Sequence, residues 1–306
     1  MYFNRYEAKL AAKASMKQAQ PSYMVVMLVY LLLTTGLTQL VMSLVGVPWA
    51  SAMTYLQQGY TPEKVFDYVI LQQMDRVAIA GGAELLLDLF CAVVEFGLIS
   101  YTLRLARNEG SGIANLFDGF AKAGRVIWLN ILTALLVFLW TALLTVPAFA
   151  ILVAVILSEA DLSVLMLLYF ALIFGAVALG IWVAYRYHLT CYILLDDPNC
   201  TARQSLRLSK TYMKGHKGEA VILDLSFFGW AMLAGLLQSG FMAIGLGVVG
   251  IIASGVFQLW LTPYVLTTRA NFYNYVIGLN GGGIRPSGSY AGPDYEYHSN
   301  DGPTPF

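Results

Sequence analysis

Long apolar stretches dominate the chain, and short polar segments punctuate them. A helix needs about 20 consecutive, mostly apolar residues to cross about 30 Å of hydrocarbon. Six stretches meet that length, near residues 23 to 47, 77 to 103, 126 to 157, 163 to 185, 220 to 239 and 244 to 270. The third exceeds one straight crossing and contains Pro147, which removes an intrahelical donor and is expected to kink it. The first follows basic residues, and Ala50-Ser51-Ala52 has the small-x-small look of a cleavage site. An apolar run of that length is too long for a signal-peptide core, so the pattern predicts a retained helix.

Between the long runs lie shorter amphipathic segments, one ahead of the first, third and fifth crossings. Arg5, Lys9, Lys13 and Lys17 repeat at i, i+4 ahead of the first. Ile113, Leu116, Phe117 and Phe120 form an apolar face ahead of the third. Ahead of the fifth, Asp197 is suited to cap a helix with Pro198 in its first turn. Arg203, Arg207, Lys210, Lys214 and Lys217 would then share an arc of about 80°, flanked by Leu206 and Met213. Such helices lie in the headgroup layer, bases on anionic lipid and apolar residues dipping inward. A docking surface for a protein partner is the alternative use of the same stripe.

Composition agrees with the pattern: 58% of the residues are hydrophobic and 12% charged, half the charge of an ordinary soluble domain. Eighteen basic residues balance eighteen acidic ones, so neither a nucleic-acid partner nor an acidic solvating chain is implied. Placement carries the information. With the N-terminus inside, sixteen of the eighteen basic residues fall on the inner side, leaving Lys64 and Arg76 outside. The positive-inside rule therefore predicts an all-α polytopic bundle of six transmembrane helices, both termini cytoplasmic, in a cell membrane. Residues 278 to 306, rich in Gly, Pro and Tyr, are expected to form a disordered cytoplasmic tail beyond a membrane domain spanning 1 to 277.

The chemistry-bearing residues are few. Glu84, Asp88 and Glu95 lie at 0°, 40° and 20° on the second crossing, a single carboxylate face. No Lys or Arg stands in a span core to neutralise them, so a cation or proton path along that face is one reading, and interhelical hydrogen bonding near external water is the other. His188 and Cys191, near Cys200, Asp196 and Asp197, lack the ligand set that zinc requires. The three cysteines offer no paired framework. Gly245 to Gly250 matches a dinucleotide fingerprint by letters alone; its glycines, like Ala171/Gly175 and Ala176/Gly180, suit close helix approach. No strong catalytic motif is present, and neither a metal nor a cofactor is expected.

Two stretches carry a family resemblance. One is Leu-Phe-Asp-Gly-Phe-Ala-Lys-Ala-Gly-Arg-Val-Ile-Trp at 116 to 128. The other combines Asp196-Asp197-Pro198, Ser205, Leu208-Ser209-Lys210, Met213-Lys214-Gly215-His216-Lys217 and Leu225-Ser226-Phe227-Phe228-Gly229-Trp230, continued by Pro263-Tyr264 and Phe272-Tyr273. The chain resembles the bacterial integral-membrane family called domain of unknown function 975, over about residues 1 to 277. The resemblance implies an all-helical multi-pass protein of the bacterial inner membrane and carries over no catalytic residue. Sequence alone thus favours a non-enzymatic protein that organises or assists partners at the cytoplasmic membrane face. A transporter or channel component using the acidic face is the alternative.

Overall fold

The computed structural model describes residues 3–46, 55, 58–61, 64–65, 67, 73–157 and 163–279. Residues 280 to 306 of the expected tail and the acidic residues Glu63, Glu159 and Asp161 lie outside the described residues, while Gly278 and Leu279 are helical. All elements described are helical. α1 spans Arg5–Gln18, α2 Tyr23–Leu31 and α3 Leu37–Val45, the last two joined through a π turn at Leu32–Gly36. α4 runs over Met74–Ala106, and two 3-10 turns, Ile113–Phe117 and Phe120–Lys122, lead into α5 at Ala123–Leu157. α6 is Ser163–Arg186, α7 Thr190–Asp196, α8 Ala202–Tyr212, α9 Lys217–Ala243 and α10 Gly247–Leu279.

Five segments are long and apolar enough to cross a membrane: Tyr23–Val45, Met74–Ala106, Ile113–Ala154, Ser163–Asp196 and Lys217–Ala243. The protein is therefore an all-α bundle with five candidate membrane-spanning helices among the described residues. α5 continues through Pro147 as one helix of 35 residues. It forms a hairpin with α6, where Gly180 and Gly175 lie against Thr141 and Leu144, so the small residues permit the close approach their spacing suggested.

Burial is lopsided. Leu85, Leu86, Phe138, Phe149 and Phe174 on the outer parts of the spans are exposed. Tyr101, Phe96, Leu116, Leu189, Met213, Phe272 and Tyr273 are all but completely buried at the opposite end. Lipid tails are as apolar as leucine, so nothing drives dense packing along the spans. Among the described residues, the main buried core lies where α1, α2, the 3-10 turns, α7 and α8 gather over the ends of α4 and α10. We call this the capped end.

Each cap element is fixed by identifiable contacts. Asn4 Oδ1 accepts from Tyr6 N and Glu7 N to start α1, and Ala8, Ala12, Ser15 and Met16 turn inward. Asn271 Nδ2 donates to Ala8 O at 3.0 Å, and Lys9 and Lys13 lie over the rings of Phe227 and Tyr264 at 4.3 and 5.3 Å. The 3-10 turns sit directly on α4. A Cβ at Gly97 would fall 2.0 Å from Leu116 O, and one at Gly119 2.1 Å from Val93 O, so glycine is required on both sides. The amphipathic helix expected at 113 to 120 is thus a pair of tight turns with Leu116 buried in protein, while Phe117 and Phe120 remain exposed.

α8 differs from expectation in three respects. Its cap is Thr201, whose hydroxyl accepts from Gln204 N while Gln204 Oε1 accepts from Thr201 N. Asp197 Oδ1 instead accepts from Asn199 N at 2.9 Å, closing a local turn ahead of the helix. The helix stops at Tyr212, and Gly215 turns the chain with φ +94°. The five basic residues therefore share no single helix: Arg203, Arg207 and Lys210 lie on α8, Lys214 in the turn and Lys217 at the start of α9. Leu206 and Met213 are buried in the protein core, not turned to lipid. Ser209 Oγ, bridging Arg186 O and Leu189 N at 3.2 Å each, holds the inner face of α8 against the end of α6.

Candidate functional site

Charged groups at the capped end are held in layers that link nearly every helix. Arg107, the residue that ends α4, places its Nη1 and Nη2 on the two oxygens of Asp196 at 2.7 Å each. Its Nε donates to Asn274 Oδ1 at 3.1 Å, and Tyr273 OH donates to Asp196 Oδ2 at 2.7 Å. The two side chains are only 9% and 8% exposed, so the pair is desolvated yet has hydrogen-bonding partners on each side. Burial alone would lower the guanidinium's proton affinity. The hydrogen bonds and charge of Asp196 outweigh it, holding Arg107 above its usual range. Tyr192 stacks on Tyr273 with centroids 5.0 Å apart and seals that side.

Beside this pair opens a polar cleft of about 450 Å³, lined by Arg104, Arg107, Lys122, Glu109, Asp118 and Asp196 among others. Asp118 accepts from Ser100 Oγ at 2.6 Å and Asn115 Nδ2 at 3.1 Å and faces Arg104 at 3.5 Å. Lys122 Nζ donates to Leu194 O at 3.2 Å, and Arg125 donates to Pro198 O. Its cations and anions are largely committed to one another and to backbone carbonyls. The cleft is built as a joint between α4, the 3-10 turns and α7.

Deeper in the bundle Asp224 of α9 accepts from Arg269 Nε and Tyr185 OH, both at 2.8 Å. At the rim Glu219 accepts from Phe3 N at 3.3 Å and pairs with His216 Nδ1 at 2.8 Å.

Sequence reasoning missed the Arg107–Asp196 and Arg269–Asp224 pairs. Arg269 falls near the end of the apolar run 244 to 270, yet it stands ten residues inside the C-terminus of α10. A basic residue does therefore reach into the bundle. An acid such as Asp224 inside an apolar run was the available signal.

The predicted acidic face is present as a helical face, with Glu84, Asp88 and Glu95 all exposed on α4. Of the three, Glu95 lies within electrostatic reach of Arg269, opposite Tyr30 and Tyr192. Arg203, Arg207, Lys210 and Lys214 are exposed on the outer surface of the cap. Lys217 leaves them and sits 3.9 Å above the Trp182 ring. His188 stacks on Tyr185, and Cys200 is buried next to Asp197. Among the described residues, no three His, Cys, Asp or Glu side chains converge as a metal site would require.

The residues carrying the family resemblance collect here: Asp196, Ser205, Ser209, Met213, Phe227, Tyr264, Phe272 and Tyr273 are buried in or under the cap. The family described as Protein of unknown function (DUF975) matches residues 1–280. The chain belongs to that family. It is a bacterial multi-pass membrane protein of the inner membrane. No curated protein and no solved structure matches it. The capped end is thus where this member of the family concentrates its distinctive side chains, and they serve mainly to lock helices together.

Proposed function

We propose that the protein is a non-enzymatic membrane scaffold that presents the capped end to the cytoplasm as a rigid basic docking surface. α10, 33 residues long and paired with α9, is taken as a sixth crossing; with both termini inside, the cap then lies on the side that holds sixteen of the eighteen basic residues. The observation that carries the reading is the division of α8. Ser205, Leu206 and Ser209 are buried in protein, and Arg203, Arg207 and Lys210 project outward. Most of the apolar side of α8 is occupied by its own protein, which leaves Leu208 as its exposed large apolar residue. Its basic side is free for an acidic partner surface or for headgroups.

The test is a photo-crosslinking residue at Lys210 in native membranes. The reading expects a defined protein adduct that disappears when Arg203, Arg207 and Lys214 are changed to Gln. Adducts confined to lipid would assign the surface to anionic headgroups instead.

A second reading, proton or cation movement past Glu84, Asp88 and Glu95, is favoured by the electrostatic reach between Glu95 and Arg269. The scaffold reading expects proteoliposomes of the wild type and of Asp88→Asn to show equal proton leak. A flux abolished by that substitution would replace it with the transport reading.

A further inference from the structure

Between α6 and α9 the bundle opens sideways into a cleft of about 490 Å³. Its walls are apolar, with Ile181, Leu225, Phe228 and Ala231 among them, while Tyr185, Asp224 and Arg269 contribute its polar groups. Ile181, Leu225 and Phe228 are strongly exposed in the bundle by itself, so the cleft is open to the lipid phase.

The charges are unevenly satisfied. Asp224 has both oxygens engaged, by Arg269 Nε and Tyr185 OH. Arg269 spends one of its five N–H donors on that bond, and its side chain remains 32% exposed at the cleft. At one end of the cleft Lys217 stands one helical turn from Val221, and Trp182 follows Ile181. Lys217 and Arg186 both lie over the Trp182 ring, at 3.9 and 5.8 Å, and are near enough to repel each other. Among the described residues no carboxylate pairs with either. Two unpaired cations on a tryptophan, at the head of an apolar cleft that opens to lipid, have the charge and shape complementary to an amphiphile with an anionic head.

We propose that this cleft holds one anionic phospholipid, with its phosphate on Arg186 and Lys217 and an acyl chain along Leu225, Phe228 and Ala231. The spare N–H groups of Arg269 face the polar end of the chain and are thereby kept from bare hydrocarbon. The site is separate from the basic surface of α8 and depends only on the membrane location of the protein, not on the docking function proposed above.

Native mass spectrometry of the full chain, released from nanodiscs containing phosphatidylglycerol or phosphatidylcholine, tests the site. The wild type should retain one phosphatidylglycerol per chain and no phosphatidylcholine. Arg186→Gln with Lys217→Gln should weaken retention about tenfold or more, and Ala231→Phe, which fills the cleft and leaves every charge in place, should abolish it. Changing Arg203, Arg207, Lys210 and Lys214 to Gln should leave it unaltered. Inorganic phosphate at about 10 mM should not displace the lipid, because it lacks the chain that the apolar walls bind. Equal retention of both lipids, displacement by phosphate, or retention that survives Ala231→Phe in a folded protein would overturn the proposal. So would retention that follows the α8 residues and not Arg186 and Lys217.

Discussion

Arg107 and Asp196, 89 residues apart in the chain, meet in a two-point ion pair with both contacts at 2.7 Å, closed on its flanks by Tyr273 and Asn274. The pair fastens the end of α4 to the end of α7, and Tyr273 and Asn274 extend the fastening to α10. Desolvating two charges is costly, and it is recovered here only because the geometry is bidentate and the neighbouring donors and acceptors are satisfied.

Removing one partner should leave the other charge buried and unpaired. Arg107→Gln or Asp196→Asn is expected to cost about 3–5 kcal/mol, read as a lower unfolding midpoint in detergent. Tyr273→Phe removes a single hydrogen bond and should cost about 1 kcal/mol. Loss as small for Arg107→Gln as for Tyr273→Phe would mean the pair does not hold the cap.

The seating of the 3-10 turns on α4 depends on two glycines. Gly97→Ala and Gly119→Ala each force a methyl to within 2.0–2.1 Å of a backbone carbonyl, so the turns must move away, at about 1–3 kcal/mol or more. Gly229→Ala on α9 meets nothing within 4 Å and should be neutral or slightly stabilising. Detergent unfolding of the three variants side by side checks the contrast.

Cys200 should be inert. Burial, reinforced by the negative charge of Asp197 and only partly offset by Arg125, raises its thiol above the usual range. The reactive thiolate is therefore scarce at pH 7 and becomes populated only as pH rises well above the ordinary thiol value of about 8.5. Mass spectrometry after maleimide treatment at pH 7 should find Cys200 unmodified in the folded protein and modified once it is unfolded in dodecyl sulfate. Rapid modification of the native state would place the residue at an open surface.

Five of the six expected spans reappear as helices long and apolar enough to cross a membrane, because the bilayer imposes a length that composition reveals directly, and α6 was recovered nearly to the residue. The helix packing of Gly175 and Gly180 could also be read, since small residues at close spacing have few other uses in an apolar run. The cap was harder. The stop at Tyr212 depends on a turn through Gly215, and the basic spacing up to Lys217 continued a helical pattern that the backbone does not follow. Leu206 and Met213 look the same in sequence whether they face lipid or protein, because both environments are apolar. Arg107 with Asp196, and Arg269 with Asp224, are pairings across long separations that no local pattern encodes; only the cost of a lone charge in an apolar setting pointed toward a partner somewhere.

Everything proposed about docking requires the capped end to face the cytoplasm, and cysteine accessibility in intact cells tests that most directly. With Gln58→Cys, Arg207→Cys and Ser289→Cys made one at a time, a membrane-impermeant maleimide should label position 58 at once and positions 207 and 289 only after the membrane is permeabilised. Labelling of position 207 in intact cells, with position 58 protected, would contradict the account.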